Sequence, residues 1–267
     1  MPISIGLAAV ILGAVALVAV FPGLAPHNPG TIDSTSSLAG PSGSHLLGTD
    51  QLGRDVFSRV IAGARTAVLG PLILTIATTT IATVLALVAG YFKGWADVVI
   101  SRAVDVVYSV PATVVAIVIV GVTGGGWWLA LSVLTVFSLP VNVRFLRAAV
   151  LSRAELPYIE AARTSGLSEW RIVLRHLLPA ISPFVVTAFF LRFTYGIVDL
   201  SSLSFLGLGV PPGSSDWGRM IAENRSLLAI NAWTTIAPAL ALVAVAVSTN
   251  TIGDWLHARW DLKDKTK

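Results

Sequence analysis

Long apolar runs broken by short polar clusters dominate this chain. Residues 66–90 carry no charged side chain over 25 positions, residues 226–253 none over 28, and residues 106–143 none over 38. A helix needs about 20 mostly apolar residues to cross a bilayer. The longest run therefore holds two spans, with a turn at Gly124-Gly125-Gly126. Backbone groups in lipid must be satisfied within the segment, so helices rather than a barrel are expected. The pattern predicts spans at residues 3–21, 67–90, 102–122, 127–145, 180–200 and 230–253. The fold class is all-α integral membrane, with six transmembrane helices.

The polar segments have their own pattern. Residues 22–49 are rich in Pro, Gly, Ser and Asn and read as a loop. Apolar positions at Val56, Phe57, Val60, Ile61 and Ala64 make residues 55–65 an amphipathic interfacial helix that precedes the second span. Residues 91–101 read as a short turn carrying Lys93 and Asp97. Residues 204–224 form a Gly/Pro-rich loop, either re-entrant or an ordinary outer loop. The chain divides into residues 1–66, the first span with its loop and amphipathic helix, and residues 67–267, a five-helix core. A cleaved signal peptide competes for residues 3–21. It calls for a basic n-region, and no Lys or Arg precedes Arg54, so the segment is read as an uncleaved span.

Composition narrows the function. Charged residues make up 12% of the chain, about half the share in soluble domains. With no cysteine, disulfides and thiolate chemistry are excluded. No Walker A, H-E-x-x-H or G-x-S-x-G pattern occurs, so no internal ATPase or familiar hydrolase is expected. The basic residues flank spans, which argues against nucleic acid as a partner. Six spans put both termini on one side. Of the 18 Lys and Arg, that side receives Lys93, Arg102, Arg144, Arg147, Arg153, Arg163, Arg171, Arg175, Arg259, Lys263, Lys265 and Lys267. The other side holds Arg54, Arg59, Arg65, Arg219 and Arg225, and Arg192 lies within a span. The positive-inside rule makes the richer side, with both termini, cytoplasmic.

One polar cluster, residues 151–178, reads as a helical hairpin. Pro157 suits a first helical position, Gly166 suits a left-handed helix end, and Ser168 suits the cap of a second helix with Glu169 near its positive end. Pro179 is expected to end or kink that helix. Ala161 and Ala162 leave a low profile that another protein surface can approach.

Glu160-Ala161-Ala162, three residues, Gly166, nine residues, His176, one residue, then Leu178-Pro179 resembles the EAA loop of membrane subunits of ATP-binding-cassette importers. Histidine at position 176 resembles the dipeptide/oligopeptide/nickel branch. So do the run from His45 through Gly48-Thr49-Asp50, Gly53-Arg54-Asp55 and Ser58-Arg59, the run Ser204 to Pro212, and Asp216-Trp217-Gly218. The resemblance spans residues 3–263, with Leu262 where the family has proline, and is to the C-type permease subunits. It implies a type I importer permease fold with an EAA loop at residues 151–179, in a bacterial cytoplasmic (inner) membrane. It implies three kinds of partner besides the lipid bilayer: a homologous permease forming a heterodimer, two ATP-binding subunits carrying ATP and Mg, and an extracytoplasmic substrate-binding protein. No cofactor or metal is expected on this chain. Tyr158, Glu160, Ala161, Ala162, Ser165 and Gly166 become the expected ATPase-docking residues. The cargo is expected to be a dipeptide or oligopeptide. Nickel or another small solute remains an alternative, as does a membrane scaffold without transport. A histidine-lined cavity would favour nickel, but the four histidines map outside the predicted spans.

Arg192 and Asp199 are the other candidates. An intramembrane charge costs about 2.5–3.5 kcal/mol on insertion scales and faces a cavity or a partner. Seven positions separate the two by roughly 10 Å along a helix, so no direct pair is expected. Arg102 and Asp105, three apart before Pro111, are expected to pair locally. Asp50, Arg54 and Asp55 are read as a structural plug, since two carboxylates are too few for a metal site.

Overall fold

The computed structural model describes residues 3–124 and 126–264. Among them the regular structure is helical: α1 Ile3–Val20, α2 Val56–Leu87, α3 Gly94–Tyr108, α4 Ala112–Val122, α5 Trp127–Ala154, α6 Pro157–Thr164, α7 Glu169–Ile172, α8 Leu178–Phe205, α9 Trp217–Asn224 and α10 Trp233–Asp264. Five helices are long and apolar enough to cross a membrane, and six if the bent pair α3–α4 counts as one span. Gly125 of the predicted turn, and Lys265 and Lys267 of the basic tail, lie outside the described residues.

Helix α2 is the central pillar. It packs against α1, α5 and α8, while α10 closes the other side against α1 and α8. Asp55 caps α2 through its carboxylate, which accepts from the Ser58 N–H at 2.8 Å. The expected break between an amphipathic helix and a separate second span does not occur, because no proline or turn cluster separates Arg65 from Ala67. The helix runs on from Val56 through a π turn to Phe92, over 37 residues. At 1.5 Å per residue that is about 55 Å, well beyond a hydrocarbon core of about 30 Å. Its first turns are the predicted amphipathic segment.

Four other boundaries also differ from expectation. Residues 94–101 are the first turns of α3, not a turn, and the third span is bent by 68° between α3 and α4. The break falls at Ser109–Pro111, where proline lacks an N–H and pushes Val110 out of the helical region. The fourth span runs past Phe145 to Ala154. Finally, Pro179 does not end the hairpin's second helix. A π turn at Val173–Leu177 joins α7 directly to α8. It contains Arg175, four residues before Pro179, so the α ladder is already interrupted where the proline cannot donate. The sixth span also extends past Gly253, so His257 lies on α10, its Nδ1 3.0 Å from Thr187 Oγ1. The expectation that every histidine falls outside the spans fails there and again at His176, which lies in the π turn of the candidate span Glu169–Phe205.

Among the described residues the core has three apolar clusters. One gathers Leu146, Val150, Ile159, Ile172, Leu177 and Ile181 from α5, the hairpin and α8. A second joins Leu74, Leu131, Leu134 and Leu203. The third packs Ile197, Trp217, Met220 and Val245 beneath α1. Trp217 anchors α9 by donating its indole N–H to the Val60 carbonyl at 2.8 Å. Large apolar side chains such as Leu7, Val10, Val114, Val118, Val122 and Val243 face outward, as a lipid-bathed surface requires.

Candidate functional site

The hairpin at one end of the bundle is built as its residues dictate. Pro157 opens α6 at its first position. Gly166 takes φ +76° between the two helices, a conformation that side-chain-bearing residues rarely adopt. Ser168 sits at the cap position of α7, but its side chain makes no capping bond. Ile159 and Ala162 face inward with Ile172 and Val173 and lock the hairpin to the core. Tyr158, Glu160, Ala161, Ser165 and Gly166 face outward. Ala162, expected on the docking face, is therefore placed on the opposite one: the helical period turns it into the buried apolar cluster while its neighbour Ala161 stays exposed.

Polar ties hold the hairpin against the end of α2. The Tyr91 hydroxyl donates to a Glu169 carboxylate oxygen. Arg163 donates to the Tyr91 hydroxyl at 3.1 Å and stands 3.3 Å from Glu169. The Tyr91 hydroxyl, then Glu169, hold the Arg163 guanidinium above its ordinary range. Around the same end, Arg147 grips Asp97 with two bonds of 2.6 and 2.5 Å, and Lys93 meets Glu155 at 3.0 Å. Arg144 meets Asp105 at 2.5 Å and lies over the Tyr108 ring. The expected Arg102–Asp105 pair gives way to this one, because α3 packs on α5 and presents Asp105 to Arg144. Trp170 and Leu174, both exposed, extend the outward apolar surface of the hairpin, with Trp170 against Phe92. Sequence reasoning passed over both; an exposed aromatic in a polar segment was the available signal.

Midway along the bundle, Arg192 and Asp199 do pair, at 2.9 Å. The expectation of no direct contact weighed the rise along the helix and not the reach of the side chain. Seven residues bring the two onto nearly the same face, and Gly196 leaves no side chain between them. Arg192 is buried and its Nε lacks a partner. The pair lines a cleft of about 430 Å³ between α5 and α8, with Asn142, Phe145, Leu191 and Tyr195.

At the far end lies a buried network. Asp50 accepts from the Leu52 and Arg54 N–H groups, from Arg54 Nε at 2.8 Å and from Arg59 Nη1 at 2.5 Å. The two guanidinium groups reach on to the carbonyls of Gly213 and Ser214 and to Glu223 on α9. Gly48 and Gly53 both take positive φ, which makes the turns possible. Burial pushes the Glu223 carboxyl up, but hydrogen bonds from the Gly213 N–H and Arg219, with the charge of Arg59, bring it below its usual range. Glu223 was missed, because no local pattern ties α9 to a segment more than 150 residues earlier.

Residues 82–262 match the family model described as a binding-protein-dependent transport system inner membrane component. The chain is 38% identical over 227 residues to a glutathione transport system permease of Pectobacterium atrosepticum, covering 85% of this chain and 75% of that one. It is 33% identical over 259 residues to a dipeptide transport system permease of Alkalihalophilus pseudofirmus, covering 96% and 85%. It is 30% identical to a probable D,D-dipeptide transport system permease of Escherichia coli, covering 98% and 88%. The fold resembles an inward-facing structure of the MetNI methionine ABC transporter, with a TM-score of 0.55, 21% identity, and coverage of 73% of this chain and 94% of that one.

Proposed function

This chain belongs to the family of binding-protein-dependent transport system inner membrane components, and from that premise we propose that it is one of two homologous permeases in an ATP-driven importer of short peptides. Its own role is not chemical. It supplies half of a translocation pathway and a surface on which a separate ATPase acts, while an extracytoplasmic binding protein delivers cargo. Peptide cargo is favoured by the relatives, whose names specify glutathione and dipeptides.

The observation that carries the proposal is the hairpin. A short exposed helix, rigidly packed on one face by Ile159 and Ala162 and bare on the other, is suited to transmit a push. Force applied at Tyr158, Ala161 or Ser165 passes through Ile172 and the π turn that joins α7 to α8 into the helix that carries Arg192 and Asp199. We place the hairpin and both termini in the cytoplasm, because the basic belt of Arg144, Arg147, Arg153 and Arg163 lies at that end. The Arg192–Asp199 cleft then faces the pathway or the second permease.

Uptake of a radiolabelled dipeptide by a strain lacking the native subunit tests this. The wild-type chain is expected to restore ATP-dependent uptake. Gly166→Pro, which cannot take φ +76°, and Glu160→Lys, on the exposed face, are expected to abolish it while inserting normally. Normal uptake by both variants would overturn the lever.

A further inference from the structure

A side-chain cluster outside this machinery sits where the residue 22–49 loop meets the start of α2. His27, His45 and Asp55 each offer one ligand atom, all within 4.8 Å of one another. His45 Nδ1 lies 2.9 Å from Asp55 Oδ1, and His27 Nδ1 lies 3.8 Å from Asp55 Oδ2. The two imidazole rings stand 5.0 Å apart. Donor atoms around a tetrahedral zinc, with bonds of about 2.0–2.1 Å, are about 3.4 Å from one another. The two His–Asp separations bracket that value, so a cation between the three groups needs only side-chain rotation.

The positions are fixed independently of any ion. Asp55 is the cap of α2, and its Oδ2 accepts from the Ser58 N–H at 2.8 Å. The backbone N–H of His27 donates to Ser58 Oγ at 3.0 Å. The backbone N–H of His45 donates to Ser42 Oγ at 3.1 Å, and its carbonyl accepts from Gly48 at 2.9 Å. Ser58 therefore holds the Asp55 carboxylate and the backbone of His27 at once. Asp55 is buried, His45 is partly covered, and His27 is exposed. The open side of the cluster thus faces solvent, which gives an ion its entry path and room for water ligands. The sequence offered two carboxylates here; folding adds two imidazoles from a loop with no metal-binding spacing.

We propose that His27, His45 and Asp55 form a binding site for a divalent first-row transition cation that clasps the residue 22–49 loop to the start of α2. Two imidazoles and one carboxylate suit zinc, copper or nickel, whereas magnesium and calcium favour all-oxygen shells. The site is distinct from the Asp50–Arg54–Arg59 network, whose carboxylate is already filled by guanidinium donors.

The test uses the full chain, purified in detergent without an affinity tag and stripped with chelator, and titrated with Zn²⁺ against a chromophoric indicator. One equivalent is expected to bind at micromolar or tighter affinity and to raise the melting temperature, while millimolar Mg²⁺ does neither. His27→Gln is expected to weaken zinc binding at least tenfold and to remove the zinc-dependent rise in melting temperature. Because His27 is exposed, that variant should melt like the wild type when metal-free, so loss of binding is not loss of fold. His45→Gln is expected to weaken binding similarly. Zinc binding that is absent from the wild type, or unchanged in the His27→Gln, His45→Gln double variant, would overturn the site and leave the cluster as a hydrogen-bonded clasp alone.

Discussion

The two ends of this bundle spend their charges in opposite ways. At the end where α2 begins, Asp50, Arg54 and Arg59 are buried, and their bonds bridge three separate stretches of chain. At the hairpin end the Arg163–Glu169 and Lys93–Glu155 pairs lie at the surface, about half exposed or more. Buried ion pairs are fragile to the loss of one partner, whereas exposed pairs contribute little. The first end is thus a fixed cap that holds long loops in one arrangement. The hairpin end is a lightly tied element whose stability comes from Ile159 and Ile172 and whose other face is exposed. One end is built to stay still and the other to be acted upon.

The largest effect that follows is at the cap. Asp50→Ala leaves two guanidinium groups buried without their shared carboxylate, a loss of about 3–5 kcal/mol. For a chain of this size that corresponds to a fall in melting temperature of roughly 6–20 °C, read by thermal unfolding in detergent. Arg163→Ala at the hairpin should leave the melting temperature nearly unchanged. Equal destabilisation by the two would erase the contrast between the ends.

Between the ends, Arg192→Leu strands Asp199 in the α5–α8 cleft and is expected to lower peptide uptake about tenfold or more, with Arg192→Lys milder. Normal uptake by Arg192→Leu would remove the pair from the pathway. A double-mutant cycle with Asp199→Asn should show coupling of at least about 0.5 kcal/mol, and additivity would mean that the two act separately.

A smaller effect is expected from acid. Glu223 and Asp55 are held below their ordinary carboxylate range. The stability they lend the cap is complete above their unfolded values, about 4.3 and 3.9. It is lost as pH falls through the lower folded values. Melting temperature should therefore hold from pH 7 to about 5 and decline below about 4, and the decline should shrink in Glu223→Gln. A fall that begins near pH 6 would assign the sensitivity to other groups.

Much of this was legible in the sequence, and the failures share a cause. The charge-free runs located the spans, and Pro157 and Gly166 located the hairpin, because each acts on its own backbone. The twenty-residue spacing from Glu160 to Pro179 identified the hairpin's kin. What was not legible depends on which distant groups meet. Arg144 displaces Arg102 as the partner of Asp105 only because α3 packs on α5. Glu223 meets Arg54 and Arg59 only through the fold of α9, and Ala162 turns inward only because the hairpin packs on the apolar core. The Arg192–Asp199 contact was within reach of local reasoning, since seven residues nearly close two turns. It needed side-chain length as well as rise.

The central claim is that the outward face of α6 meets a separate ATPase while its inward face belongs to this chain's core. The chain has no cysteine, so single cysteines can be placed cleanly at Ala161 and Ala162 and crosslinked in membranes that also contain the cognate ATPase subunits. Ala161→Cys should give a crosslinked band with the ATPase whose yield changes when ATP is added. Ala162→Cys should give none. Crosslinking at Ala162 alone, or at neither position while Tyr158→Cys and Ser165→Cys are also silent, would contradict the account.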